Sequence, residues 1–369
     1  MLENYRLRNY NFKLLLLVII ASVFGTLMIN SADSSYLKKQ LLGLIICIIG
    51  LIVLSLIDYK FISKFYILLY GLNLVLLSAV LLFGTSANGA KRWLGSQDLI
   101  TVQPSEFAKI ILIICAAHFL ADHKETINTA KTLIQYAVFC AVPLLLIVSE
   151  PDLSTTLDVF AILFVMLFVA GLSYKIIGIG LLCLIPLAGS FVWYVKQPDP
   201  MFLKDYQQER ILSFLYPDEY ASTTQYQQDN SVMAIGSGQL FGKGLNNSTL
   251  ATVKDANLIS EQQTDFIFSV VGEELGFVGS TVIIVILGLI VVQCIKTARK
   301  ASDSNGMFIA TGVATLIGVQ TFLNIGVATS LLPNTGIPLP FISYGLSSLV
   351  SSCAGMGLVM NVSLQRRKY

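Results

Sequence analysis

Ten stretches of the chain, at approximately 14–30, 40–57, 65–84, 106–121, 132–149, 156–172, 176–195, 266–295, 306–332 and 344–363, are apolar over about the length that crosses a bilayer. A spanning helix needs roughly 20 such residues. Inside hydrocarbon a backbone must satisfy its own polar groups, so a chain carrying these runs folds as a helical bundle in a membrane. Charge content excludes the soluble alternative: 12% of the 369 residues are charged, about half the roughly 25% of soluble domains. The net charge of +2 gives no basic face for a nucleic-acid partner.

An even number of spans returns both termini to one side, and the positive-inside rule makes that side cytoplasmic. It collects Arg6, Arg8, Lys13, Lys60, Lys64, Lys124, Lys131, Lys175, Lys296, Arg299, Lys300 and the Arg366-Arg367-Lys368 cluster, whereas the short loops opposite hold Lys38, Lys39, Lys91 and Arg92. The expected architecture is an all-α polytopic protein, a single membrane domain over 1–369. Its large extracytoplasmic loop, about 196–264, lies between the seventh and eighth helices. The segment from Leu332 to Gly345 carries three prolines between Pro333 and Pro340 and cannot form a regular helix. It is too apolar for a solvated loop, so a re-entrant segment packed in protein or lining a wet cavity fits it.

Polar residues in or beside apolar runs are the functional candidates. Glu106 and Lys109 share a helix face, either neutralising each other or holding a charged substrate. In Glu150-Pro151-Asp152 the proline turn aims two carboxylates at a common cleft, or simply stops one helix and caps the next. Asp265 stands where the long loop meets an apolar helix. Apolar surroundings raise its pKa toward that of a general base, while a helix N-terminus lowers it. On a continuous helix Asp265, Ser269, Gly272 and Gly276 fall within about 60°, a small-residue stripe suited to a ligand or another helix. Glu273 and Glu274 leave that stripe. Gln320 and Asn324 share a face and suit interhelical hydrogen bonding. Lys91, Arg92 and Arg210 put cations on the outer side, where an anionic ligand or lipid headgroups account for them, and Trp93 offers a flat face to sugar or lipid. The six cysteines sit singly in apolar runs and read as buried hydrophobes, and His118 and His123 have no third ligand for a metal.

Five segments in order are similar to the SEDS family (shape, elongation, division and sporulation), the proteins of the RodA, FtsW and SpoVE type. They are Gly89-Ala90-Lys91-Arg92-Trp93 through Gln103-Pro104-Ser105-Glu106-Phe107-Ala108-Lys109; Glu150-Pro151-Asp152-Leu153; Ala234-Ile235-Gly236-Ser237-Gly238 with Gly242-Lys243-Gly244; Thr264-Asp265-Phe266-Ile267-Phe268 with Gly272-Glu273-Glu274-Leu275-Gly276; and Leu339-Pro340-Phe341-Ile342-Ser343-Tyr344-Gly345. Ser154 and Leu346 stand where the family usually has glycine. The resemblance covers almost the whole chain and implies a peptidoglycan glycosyltransferase of the bacterial plasma membrane that polymerises lipid II into glycan strands, beside a class B penicillin-binding protein. It assigns Asp265 as the essential acid, Arg92 and Trp93 as the outer-loop pair, and Glu106 and Lys109 as the cavity pair. Lys91, Arg92 and Arg210 are then expected to meet the leaving pyrophosphate, and Glu150, Asp152 and Ser343 to contact substrate. No resident cofactor is implied, and a divalent ion brought in by pyrophosphate is compatible. The short tail at Arg366–Tyr369 and the lack of terminal extensions resemble the elongation proteins more than the division proteins. A lipid II flippase or a non-catalytic scaffold would carry a similar polar cavity and broken helix.

Overall fold

The computed structural model describes residues 9–87, 90–95, 101–197, 205–216, 219, 224–247, 252–254, 256 and 258–365. Arg6, Arg8, Gly89 and the Arg366-Arg367-Lys368 cluster lie outside the described residues.

The chain begins with α1 (Phe12–Ala32) and α2 (Leu37–Leu56), then the short α3 (Tyr59–Lys64) and α4 (Tyr66–Phe83). A hairpin of β1 (Thr85–Ala87) and β2 (Ala90–Trp93) leads to α5 (Pro104–Asp122), α6 (Ala130–Ser149), α7 (Leu153–Val169) and α8 (Tyr174–Val195). The long loop contributes α9 (Asp205–Leu215) and α10 (Thr224–Ser237), followed by α11 (Ile267–Arg299), α12 (Ser304–Ala328) and α13 (Leu346–Leu364). Among the described residues nine of these helices are long and apolar enough to cross a membrane, and α7, at 17 residues, is the shorter tenth. Each matches one apolar run of the sequence, and together they make the chain a multi-pass membrane protein.

Side chains define where the helices start. Asn11 accepts from the Leu14 amide at 3.1 Å, Asp303 from the Gly306 amide at 2.8 Å, and Asp152 from the Thr155 amide at 3.1 Å. These groups satisfy donors that a helix start leaves open. Pro104 opens α5, where its missing N–H costs nothing. Ser363 donates to the Asn9 carbonyl at 2.7 Å, so the start of α1 and the end of α13 lie on the same face.

The interior is built around α12, which packs on α5, α7, α11 and α13, while α2 lies along α13. Glycines permit the closest contacts: a Cβ on Gly25 would lie 2.5 Å from the Phe341 carbonyl oxygen. Around this core a belt of large apolar side chains stays exposed, among them Ile67, Leu82, Phe83 and Leu182, the surface expected of lipid-facing helices. Cys47 of α2 and Cys353 of α13 form a disulfide, their Cα atoms 5.5 Å apart. This corrects the expectation of six unbridged cysteines: residues 306 positions apart are brought together by helix packing that their spacing does not encode.

The helix α11 is not continuous. Gly276 has φ +64° and ψ −160°, a backbone state open to glycine and costly to other residues. The carbonyls of Glu273 and Glu274 accept from the Lys243 and Gly244 amides, both at 3.0 Å, and the Phe277 and Val278 amides donate to the Gln239 and Leu240 carbonyls at 2.8 and 3.1 Å. The segment 239–244 thus completes the broken helix, as irregular backbone at membrane depth requires. A Cβ on Gly238 would meet the Gly272 carbonyl at 1.9 Å, and one on Gly242 the Glu274 carbonyl at 2.1 Å. Gly272 and Gly276 therefore admit α10 and the turn after it. Asp265 does not belong to this stripe, because α11 starts only at Ile267.

Candidate active site

A cavity of about 380 Å3 opens among α5, α7, α9, α13, β2 and the proline-rich segment. It brings together Arg92, Trp93, Glu106, Lys109, Asp152, Arg210 and Asp265, seven of the ten residues singled out in the sequence. They come from positions more than 170 apart.

Asp265 is half-buried in the cavity wall. Its backbone is fixed from two directions. Asn324 of α12, itself buried, donates through Nδ2 to both the Asp265 carbonyl and the Ile337 carbonyl, each at 2.8 Å. One residue earlier, Ser343 donates to the Thr264 carbonyl at 2.7 Å and accepts from the Leu339 amide at 2.7 Å. The Tyr344 amide donates to the Gln263 carbonyl at 2.9 Å. The Leu332–Gly345 segment is therefore a packed irregular wall, its Leu339, Phe341 and Ile342 buried. Gly336, at φ +71°, passes so close that a Cβ there would lie 3.2 Å from Asp265 Oδ2 and 3.7 Å from Arg210 Nη1.

The Asp265 carboxylate makes no hydrogen bond or ion pair with a described residue. Burial pushes its pKa up from the ordinary 3.8 to about 6; Arg210 opposes the rise, Glu261 adds to it, Arg92 opposes it and Asp152 adds to it. Desolvation thus exceeds the pull of the guanidinium groups. A carboxylate that is ionised near neutral pH and still basic is suited to taking a proton.

Arg92 reaches from β2 to the turn before α7, donating to the Pro151 carbonyl and lying 3.8 Å from Asp152 Oδ1. Asp152 also accepts from Thr155 Oγ1 at 2.8 Å and Gln103 Nε2 at 3.3 Å. It is both the cap of α7 and a cavity residue, joining the two roles its position allowed. Deeper in the cavity Lys109 is 2.8 Å from Glu106 and 3.4 Å from Asp158 of α7, and Gln320 donates to Asp158 at 2.9 Å. Gln320 and Asn324 thus both form contacts between elements. Asp158 escaped the sequence reading, although an acid inside an apolar run was the signal that would have found it.

Three candidates lie apart from the cavity lining. Lys91 is exposed on β2. Ser343 is turned into the clamp behind Asp265. Glu150 is fully buried, and neither carboxylate oxygen has a hydrogen-bond partner among the described residues. Burial, and next the neighbouring Asp152, push its pKa from 4.5 to about 8 against the pull of Arg92.

The chain matches the family of cell cycle proteins of the FtsW, RodA and SpoVE type over residues 7–368. It belongs to that family. A probable peptidoglycan glycosyltransferase FtsW of Geobacter sp. (strain M18) is 34% identical over 98% of this chain and 99% of its own length. Among solved structures, the rod shape determining protein RodA of Thermus thermophilus aligns with TM-score 0.71 and 28% identity, covering 98% of each chain. A chain from a peptidoglycan synthase complex, described for its coordination of polymerization and crosslinking, aligns with TM-score 0.79 and 29% identity, covering 96% of this chain and 97% of its own.

Proposed function

We propose that this protein is a peptidoglycan glycosyltransferase that polymerises lipid II at the cavity around Asp265, with both termini cytoplasmic and the cavity on the extracytoplasmic face. The observation carrying the reading is an unpaired carboxylate of pKa about 6 facing a cavity that also holds Arg92 and Arg210. In the reaction, Asp265 takes the proton of the 4-hydroxyl on an incoming lipid-linked disaccharide. That oxygen bonds to the anomeric carbon of the growing glycan, and the carbon–oxygen bond to undecaprenyl pyrophosphate breaks. The departing negative charge falls to Arg92 and Arg210, with Lys91 at the rim, and a divalent ion carried by pyrophosphate is compatible with this division. Glu106, Lys109 and Asp152 shape the cavity. Glu150 and Ser343 act on its walls rather than on substrate.

The elongation role is supported by the likeness to the rod shape determining protein RodA, and the family's description as cell cycle proteins makes division the competing programme. Depletion in the host separates them: rounded cells support elongation and long undivided filaments support division. The synthase-complex likeness supports a class B penicillin-binding protein as partner. A polar cavity together with a broken helix also suits a lipid transporter, so the deciding experiment is purified protein with lipid II in detergent. Glycan strands are expected from the wild type and none from Asp265→Asn. Strands from that variant would remove the base role, and lipid transport by it in vesicles would favour the flippase.

A further inference from the structure

Three cations line the cavity, and one of them, Lys109, is held by Glu106 and Asp158. Arg92 comes from β2 and is anchored at Pro151 and Asp152; Arg210 comes from α9 and approaches Gly336. On the α2 and α13 side the wall is aromatic. Asp33 accepts from the Ser35 amide at 2.9 Å, starting the single turn Ser34–Tyr36 that sets Tyr36 at the head of α2. Tyr344 precedes α13 and is tied by its amide to Gln263, two residues from Asp265. The two rings meet with centroids 4.5 Å apart, tilted by 55°. Both pack on the hydrophobic core with part of their surface, and both line the cavity with the rest. Neither phenol oxygen has a hydrogen-bond partner among the described residues.

The two tyrosines are partly exposed in a cavity lined elsewhere by charged and uncharged polar side chains and by Trp93, and the ligand surface that complements such rings is the apolar face of a pyranose ring. We infer that Tyr36 and Tyr344 form the platform for the incoming acceptor saccharide, so that the two substrates lie across Asp265, the leaving pyrophosphate at Arg92 and Arg210 and the nucleophilic sugar at the tyrosines. The inference rests on the glycosyltransferase reading and gives it a direction: the proton moves from a hydroxyl on the tyrosine side to Asp265, while the leaving group departs on the arginine side.

The test replaces each ring by a side chain that still fills the wall. Tyr36→Leu and Tyr344→Leu are each expected to raise KM for lipid II about 10-fold, the worth of one aromatic contact, with kcat within about 3-fold. Tyr36→Phe and Tyr344→Phe keep the ring and are expected to stay within about 2-fold of wild type. A second measurement needs no turnover: in the Asp265→Asn background, each Leu substitution should weaken lipid II binding in nanodiscs by a similar factor. Unchanged KM and binding in the Leu variants, or Phe variants as impaired as Leu variants at unchanged Tm, would overturn the platform. No glycan strands from the wild-type protein would instead overturn the enzyme reading, and strands from Asp265→Asn its base alone, so the failures are distinguishable.

Discussion

Within ten residues of chain the protein uses acids in two opposite ways. Asp265 faces an open cavity, has no partner among the described residues, and is raised to a pKa of about 6 by burial. Glu273 and Glu274 are buried and paired with lysines. Glu273 accepts from Lys243 Nζ at 2.7 Å and from the Val253 and Lys254 amides at 2.8 and 3.2 Å. Glu274 accepts from Lys254 Nζ at 2.7 Å and from Ser31 Oγ at 2.5 Å. Glu273 and Glu274 fasten the loop between α8 and α11 to α11 and α1. What separates the two kinds of acid is access to the cavity together with the donors around them: Asp265 lines the cavity with no partner among the described residues, whereas Glu273 and Glu274 are buried against lysines.

That contrast is broken most directly at Asp265. Replacing it with Asn should cost about 10²–10⁴ in polymerisation, the usual scale of general-base catalysis, while Tm stays level or rises. The sign follows from burial: a carboxyl whose pKa is raised from 3.8 to about 6 loses stability as pH climbs through that window. The Asn variant should therefore gain on wild type from about pH 4 to 6 and hold that gain above it. A Tm lower than wild type at pH 7 would make Asp265 structural.

Glu274→Ala should invert the pattern. It leaves Lys254 buried without its carboxylate, a change that costs about 3–5 kcal/mol and is read as a fall in Tm, with the kcat of the folded fraction nearly unchanged. An unchanged Tm would mean the loop is held by other contacts.

A smaller effect is expected from Asn324→Leu, which removes the donor shared by the Asp265 and Ile337 carbonyls. Loose placement of the base should lower kcat by about 10-fold with KM little altered. Serine at the same position restores one donor and part of the rate. Equal kcat in the Leu variant would relieve Asn324 of a positioning role.

The smallest effect belongs to Glu150. Its pKa of about 8 leaves it mostly neutral at pH 7, so Glu150→Gln should preserve activity there. The variant should exceed wild type in Tm by a margin opening above about pH 4.5 and complete near pH 8, because the unfolded carboxyl ionises before the buried one. A margin that shrinks over this range would contradict the burial argument.

Much of this was legible in the sequence. The ten runs became ten helices because apolar length alone decides what crosses a bilayer, and Asp265, Arg92, Arg210 and the Glu106–Lys109 pair meet at one cavity. What escaped depends on pairings between distant segments. Asp158 becomes part of the cavity only when α7 packs against α5 and α12, and Cys47 finds Cys353 only along the α2–α13 contact. Ser343 looked like a ligand contact because a motif states which residues recur and not which way they point. The stripe at Gly272 and Gly276 was visible as a groove, but its occupant, the 239–244 turn, required knowing where α11 breaks.

The break at Gly276 also separates two tasks within one helix. The stretch 277–299 is roughly 34 Å long at 1.5 Å per residue, enough by itself for the hydrocarbon layer, and the shorter stretch before it is registered against the loop. Membranes of different thickness are met by tilting the longer rod. Four hydrogen bonds from the 239–244 turn, two on either side of Gly276, hold the junction of the two stretches in place.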